Sequence, residues 1–270
     1  MNVRNDEVYG RGGGRDLLCD IYTPDSSPNG AGVLMVHGGG WRRGDRAMLV
    51  DQAQQLVAKG FTCVACEYRL TPESDWPAQI HDVKAALRWF RANAQSSGVD
   101  TDKIAVFGSS AGAHLALLLA ATPGKVEFEG DGGNPRVPAH VAAAVAIYPP
   151  TIFFVGDDRP SGGTPARALL VNDENNAAAA REASPIEYVH AQFPPTFMLH
   201  GTADKVVPPT ASLRMYEELA AVGARVELHM YAEQPHGYAR RADWLEPTMA
   251  EVGLFLDRYV AHPEKFEVAA

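Results

Sequence analysis

Apolar positions along this chain repeat first every second residue, then at helical spacing, and the two periods keep alternating. "VRNDEVYG" (3–10) and "RDLLCDIYTP" (15–24) read as two strands joined by the glycine-rich turn "GRGGGR". "AGVLMVHG" (31–38) is a short apolar run suited to a buried strand. "DRAMLVDQAQQLVAKG" (45–60) has helical spacing and stops at Gly60. "FTCVACEYRL" (61–70) is the next strand, and "PAQIHDVKAALRWFRANAQSSG" (77–98) is a long helix with Pro77 at its start. "DKIAVFG" (102–108) predicts a strand, "AGAHLALLLAATPG" (111–124) a helix, and "HVAAAVAIYPP" (140–150) a strand closed by two prolines. Residues 151–193 are irregular, with short helices expected around 165–171 and 172–183. The alternation then resumes with strand 194–201, helix 208–223, strand 224–231 and helix 243–260.

Strands alternating with helices imply an α/β fold with helices on both faces of a mostly parallel sheet. Eight strands are expected, the first two forming an antiparallel N-terminal edge. The chain reads as a single domain over 1–270, with a short lid-like insertion around 151–193. The last strand, 224–231, would lie at the opposite edge. Such an edge offers unpaired backbone groups to a second copy, as a homodimer through residues 225–231, unless Arg225, Glu227 and the last helix protect it.

Composition narrows the partners. Hydrophobic residues make up 46% and charged residues 21% of 270, ordinary for a globular protein. The net charge of −9 argues against nucleic acid or an anionic membrane surface as a partner. No apolar stretch approaches the ~20 residues of a membrane span. The start, "MNVRNDEVYG", lacks the apolar core of a signal peptide, so the expected compartment is the cytoplasm. Cys63 and Cys66 form C-x-x-C, but within a strand that offset puts their side chains on opposite faces. With Cys19 they are expected to be buried structural thiols.

Chemistry gathers where strands end. "GSSAG" (108–112) matches G-x-S-x-G at a strand-to-helix junction. A sharp turn there would lift the Ser110 hydroxyl clear of the sheet, and Gly108 and Gly112 leave room for the turn. A serine at this position also serves as a helix N-cap. A nucleophilic hydroxyl needs a base, and the base an orienting acid. "HGTADKVVPP" places Asp204 after one later strand, and "AEQPHGY" places His236 after the next, which is the order Ser, acid, His. Glu233, just before His236, is the alternative acid. His200 shares the Asp204 loop, while His81, His114, His190 and His262 sit on predicted helices or connecting segments. The negative charge that develops during acyl transfer needs backbone donors. "HGGGW" (37–41) supplies Gly39 and Gly40 beyond a strand end, and Ala111 N–H opens the following helix.

These motifs resemble those of α/β-hydrolase-fold serine esterases, in the BD-FAE-type and hormone-sensitive-lipase-like carboxylesterase branch. The carrying stretches are "HGGGW", "EYRLTPES", "WPAQIHDVKAALRW", "DKIAVFGSSAGAHLA", "HGTADKVVP" and "PHGY", within 33–238. The tryptophan after HGGG draws the resemblance towards the BD-FAE type. Ala113 departs from it, since such relatives usually carry a second glycine there. The resemblance implies a carboxylesterase for small, short-chain esters. Its triad would be Ser110, Asp204 and His236, and its oxyanion hole Gly39, Gly40 and Ala111, with no cofactor or metal. An arylformamide or an acetylated carbohydrate would suit the same triad, and a non-catalytic binding module is the alternative of another class. Trp41, Phe153 and Phe154 are the expected pocket residues. Tyr68, Arg69 and Asp82 are expected to form internal bonds, and His37 to hold its loop.

Overall fold

Strand β1 (Asn2–Gly12) folds back through Gly13 and Gly14 into β2 (Arg15–Thr23). Strand β3 (Gly32–Val36), helix α1 (Val50–Val57), β4 (Thr62–Cys66) and α2 (Ala78–Asn93) follow. Next come β5 (Ile104–Ser109), α3 (Ala111–Ala121) and β6 (Ala144–Ile147). The chain continues through β7 (Thr196–Gly201), α4 (Thr210–Ala221), β8 (Val226–Tyr231) and α5 (Ala242–Leu256). The computed structural model describes residues 1–155, 159–160, 169–170 and 177–266.

The eight strands form one sheet in the order β1-β2-β4-β3-β5-β6-β7-β8. The β1–β2 and β2–β4 pairings are antiparallel, and every later pairing is parallel. The sheet is therefore the expected one: mostly parallel, with an antiparallel N-terminal edge. Strand alternation splits the core in two. On one face Leu34, Val36, Val64 and Val106 pack with Val83 and Leu87 of α2 and Leu115 and Leu118 of α3. On the other, Val33, Met35, Phe107 and Val145 pack with Leu56 of α1 and Met249, Val252 and Phe255 of α5. Cys66 belongs to the first layer and Cys63 to the second, as their offset in β4 requires. All three thiols are free and buried, and burial pushes Cys19 up to about 12.

Several elements are shorter than their apolar runs. The strand expected over 140–150 pairs only across Ala144–Ile147. Before it, the Arg91 guanidinium takes the His140 carbonyl at 2.6 Å. After it, Tyr148 turns to φ +42° and two prolines follow, which end the ladder. Strand β4 ends at Cys66, and the next residues turn inward. The Tyr68 hydroxyl donates to the His37 carbonyl (3.0 Å), and Arg69 makes a two-pronged pair with Asp82 (2.8 and 2.7 Å). Of the expected insertion at 151–193, residues 156–158, 161–168 and 171–176 lie outside the described residues, and with them most of the helix expected at 165–171. The helix expected over 172–183 is present as Ala177–Glu182.

Strand β8 is the free edge. Its side chains are tied to the C-terminal helical segment: Arg258 donates to Glu227 (2.9 Å), and His229 and Tyr231 both meet Glu251 (2.6 and 2.5 Å). Among the described residues no helix is long and apolar enough to cross a membrane.

Candidate active site

The carboxyl ends of β3, β5, β6, β7 and β8 carry Gly38–Gly40, Ser110, Tyr148, Asp204 and His236 respectively. Loops beyond strand ends of a doubly wound sheet converge on one crevice, and these converge on a cavity of about 710 Å³.

Ser110 sits between β5 and α3 at φ +55°, a conformation disfavoured for any residue with a Cβ. The surrounding packing enforces it. A Cβ on Gly112 would lie 2.1 Å from the Val36 carbonyl oxygen, so the start of α3 is pressed against the end of β3. Ser110 stands at the N-cap position, yet its hydroxyl makes no capping bond. It lies 2.9 Å from His236 Nε2 instead. His236 Nδ1 is 2.7 Å from Asp204 Oδ2. A carboxylate only accepts, so Nδ1 carries the proton and Nε2 is left to accept from Ser110. Glu233 is exposed and takes no part in this chain of bonds.

Asp204 is fixed on every side. Its Oδ1 accepts from the N–H groups of Val206 (2.8 Å) and Val207 (2.9 Å). His200 Nε2 stands 3.2 Å from Oδ2 and 3.1 Å from the Val207 carbonyl, while its Nδ1 meets Ser212 Oγ at 2.7 Å. Burial alone would raise the Asp204 carboxyl. The bonds from His200, His236 and Val207 outweigh it and hold the group well below the usual carboxylate range. His200 is therefore a fully buried partner of Asp204, and the ring that reaches Ser110 is that of His236.

Gly39 and Gly40 line the cavity beside Ser110. Gly39 has φ +125°, and a Cβ there would meet the Arg43 carbonyl oxygen at 1.9 Å, so only glycine fits. Ala111 is the first residue of α3, where backbone N–H groups have no partner within the helix. Gly39 and Gly40 thus share the Ser110 cavity, and Ala111 follows Ser110 in the chain. His37 supports the loop from beneath: its ring stacks on Tyr68 at 4.4 Å, and burial keeps it neutral by lowering its pKa.

The aromatic residues expected in the pocket lie elsewhere. Trp41 is 2% and Phe153 0% exposed, and both pack against His114, outside the cavity lining. Trp41 adopts φ +57°, which swings its ring into the core. Phe154 lines a separate cavity of about 490 Å³ with Ile152 and Ile186. The apolar lining beside Ser110 is instead Met48, Val206 and Tyr148, whose ring lies 4.5 Å from that of His236. Tyr148 was missed, because it lies inside the apolar run 140–150 that reads as strand. Met48, seven residues beyond HGGGW, carried no local signal because it reads as part of the helix expected over 45–60.

His114 accepts from Trp41 Nε1 at 3.3 Å and donates to the Ala183 carbonyl at 2.7 Å, both as a neutral ring. Burial lowers its pKa to about 4, against the opposing Ala183 bond. Between that value and its ordinary 6.5 the unfolded chain binds the proton and the folded chain does not. Stability is therefore complete above about pH 6.5 and falls as pH drops towards 4, by on the order of 3 kcal/mol. Denaturant titrations across that window are expected to show this slope, and His114→Gln to flatten it. An unchanged slope in the variant contradicts the assignment.

Among the described residues, no cluster of three or more His, Cys, Asp or Glu side chains is arranged to hold a metal ion.

Comparison with known proteins adds a lineage to this geometry. The chain is similar to Esterase LipQ of Mycobacterium tuberculosis, 34% identical over 87% of this chain and 56% of LipQ. It is similar to Esterase LipC of the same organism, 33% identical over 89% of this chain and 62% of LipC. The chain thus spans little more than half the length of these curated relatives. Among solved structures, the butyrate-bound form of the thermophilic esterase Est2 from Thermogutta terrifontis superposes with a TM-score of 0.81 at 27% identity, covering 93% of this chain and 92% of that one. The BD-FAE family matches residues 19–219, which takes in the glycine loop, the GSSAG turn and the Asp204 loop. With its eight-stranded sheet and this match across most of its length, the chain belongs to the BD-FAE family, within the α/β-hydrolase fold.

Proposed function

We propose that the chain is a serine carboxylesterase that hydrolyses short-chain acyl esters through an acyl-enzyme. The observation that carries this reading is the bonded series Ser110–His236–Asp204, at 2.9 and 2.7 Å, built on the strained turn at Ser110. In this reading the Ser110 oxygen attacks the ester carbonyl while His236 Nε2 takes its proton. Gly39, Gly40 and Ala111 N–H groups stabilise the oxyanion, a contribution of ~3 kcal/mol per well-placed donor. His236 returns the proton to the leaving alcohol, and water then releases the acid by the same route. Asp204 holds the ring and stabilises the imidazolium. No metal or cofactor enters any step.

Short acyl length is supported by the modest apolar lining of Met48, Val206 and Tyr148. The related Thermogutta terrifontis esterase has been captured with propionate and with butyrate. Three buried free thiols fit a reducing compartment such as the cytoplasm. We further read residues 1–270 as one catalytic domain.

A panel of 4-nitrophenyl esters from two to twelve carbons, run beside an arylformamide and an acetylated sugar, tests the proposal. Acetate and butyrate esters are expected to give the highest kcat/KM. Faster turnover of the twelve-carbon ester than of the butyrate refutes the short-chain assignment. Preferential cleavage of the formamide transfers the same triad to another bond, and no turnover anywhere refutes the enzyme reading.

A further inference from the structure

Three arginines belong to the cavity that holds Ser110. Arg42, Arg43 and Arg240 all line its cavity, and no aspartate or glutamate does so among the described residues. Several arginines elsewhere in the molecule are paired. Arg46, Arg69, Arg88 and Arg258 each hold a carboxylate within 2.9 Å. Arg42, Arg43 and Arg240 are exposed, and no described carboxylate pairs with them. The chain has 33 acidic against 24 basic side chains, so an unpaired basic cluster at the nucleophile runs against its overall charge. A cluster of one sign lining a cleft focuses the local field and concentrates counter-ions there. Arginine is also the side chain best matched to a planar carboxylate or a phosphate, through paired N–H donors.

The cluster has a direction. His236 gives its proton to the departing oxygen, so the alcohol leaves on the His236 side. Arg240 follows four residues beyond His236, in the turn Tyr238–Arg240. Arg42 and Arg43 follow Trp41 at the end of the glycine loop and line the same cavity. Resting on the esterase reading above, we infer that the preferred substrates are short acyl esters whose alcohol portion carries an anionic group, with Arg42, Arg43 and Arg240 as the specificity-determining residues.

The test uses 3-(4-acetoxyphenyl)propanoate and its neutral propanamide, which share the acetyl group and a phenol of matched reactivity. At low salt the propanoate is expected to exceed the amide in kcat/KM by about 10-fold or more, mainly through KM. About 1 M NaCl shortens the screening length to ~3 Å, and the ratio is expected to shrink towards 1. The triple variant Arg42→Gln, Arg43→Gln, Arg240→Gln is expected to bring the ratio near 1 at any salt. A ratio below about 2 in the unaltered enzyme, or one that survives the triple substitution, overturns the inference while leaving the esterase reading intact. Should the triple variant not fold, the salt titration of the unaltered enzyme decides. Should neither ester turn over, the esterase reading fails by itself. Calorimetric binding of the two esters to Ser110→Ala then decides the anion preference: about 10-fold tighter propanoate binding supports it, and equal binding overturns it.

Discussion

Ser110→Ala is expected to lower kcat by 10⁴-fold or more on any ester the enzyme accepts, with the fold unchanged. The size of the effect follows from what the hydroxyl does. It is the only group at the turn bonded to His236, at 2.9 Å, so without it the base has no proton to take. Residual turnover would reflect oxyanion stabilisation and binding alone. Ser109 is the control. It is 8% exposed and lines the same cavity, but it ends β5 and has no bond to His236. Ser109→Ala is expected to retain most activity. Circular dichroism and kcat on 4-nitrophenyl acetate separate the two variants, and an active Ser110→Ala beside a dead Ser109→Ala reverses the assignment.

Asp204→Asn is expected to cost about 10⁴-fold in kcat. The local bonds dictate how the amide would sit. Val206 and Val207 N–H groups both donate to Oδ1, so the asparagine carbonyl oxygen takes that place. Its NH₂ then points at His236 Nδ1, where the carboxylate Oδ2 stood at 2.7 Å. Nδ1 must become the acceptor, Nε2 becomes the donor, and Ser110 faces a protonated nitrogen. The same NH₂ confronts His200 Nε2, 3.2 Å away, which adds a cost of about 1–3 kcal/mol in stability for an unmatched buried donor. Kinetics and a denaturant titration of the variant read both effects. Full activity would identify another acid, and Glu233 is the first to replace.

Much of this site could be read from the chain because its parts sit at strand ends, and strand ends are marked locally. GSSAG follows a β-type apolar run and opens a helical one. Asp204 and His236 each follow a short apolar strand, and HGGGW does the same. Period alone also divided Cys63 from Cys66 across the sheet. What escaped depends on backbone rotation and distant packing. Trp41 was expected in the pocket from its place beside the glycine loop, but at φ +57° its ring turns inward to His114. Phe153 follows it into the core, and Phe154 faces another cavity. His200 looked like a rival base because it shares the Asp204 loop. Its role as a partner of the acid depends on Ser212 and Val207, a contact no spacing rule encodes. The late start of β6 reflects Arg91 of α2 taking the His140 carbonyl, again a tertiary bond.

The central claim is that Ser110 is a nucleophile activated by His236. Titration with diethyl 4-nitrophenyl phosphate, followed by peptide mapping, tests it most directly, because the reagent leaves its diethylphosphoryl group on the attacking oxygen. The account predicts one equivalent of 4-nitrophenol per chain, loss of esterase turnover in step with it, and the adduct on Ser110. An adduct on any other residue, or turnover that persists once Ser110 is fully modified, would contradict it.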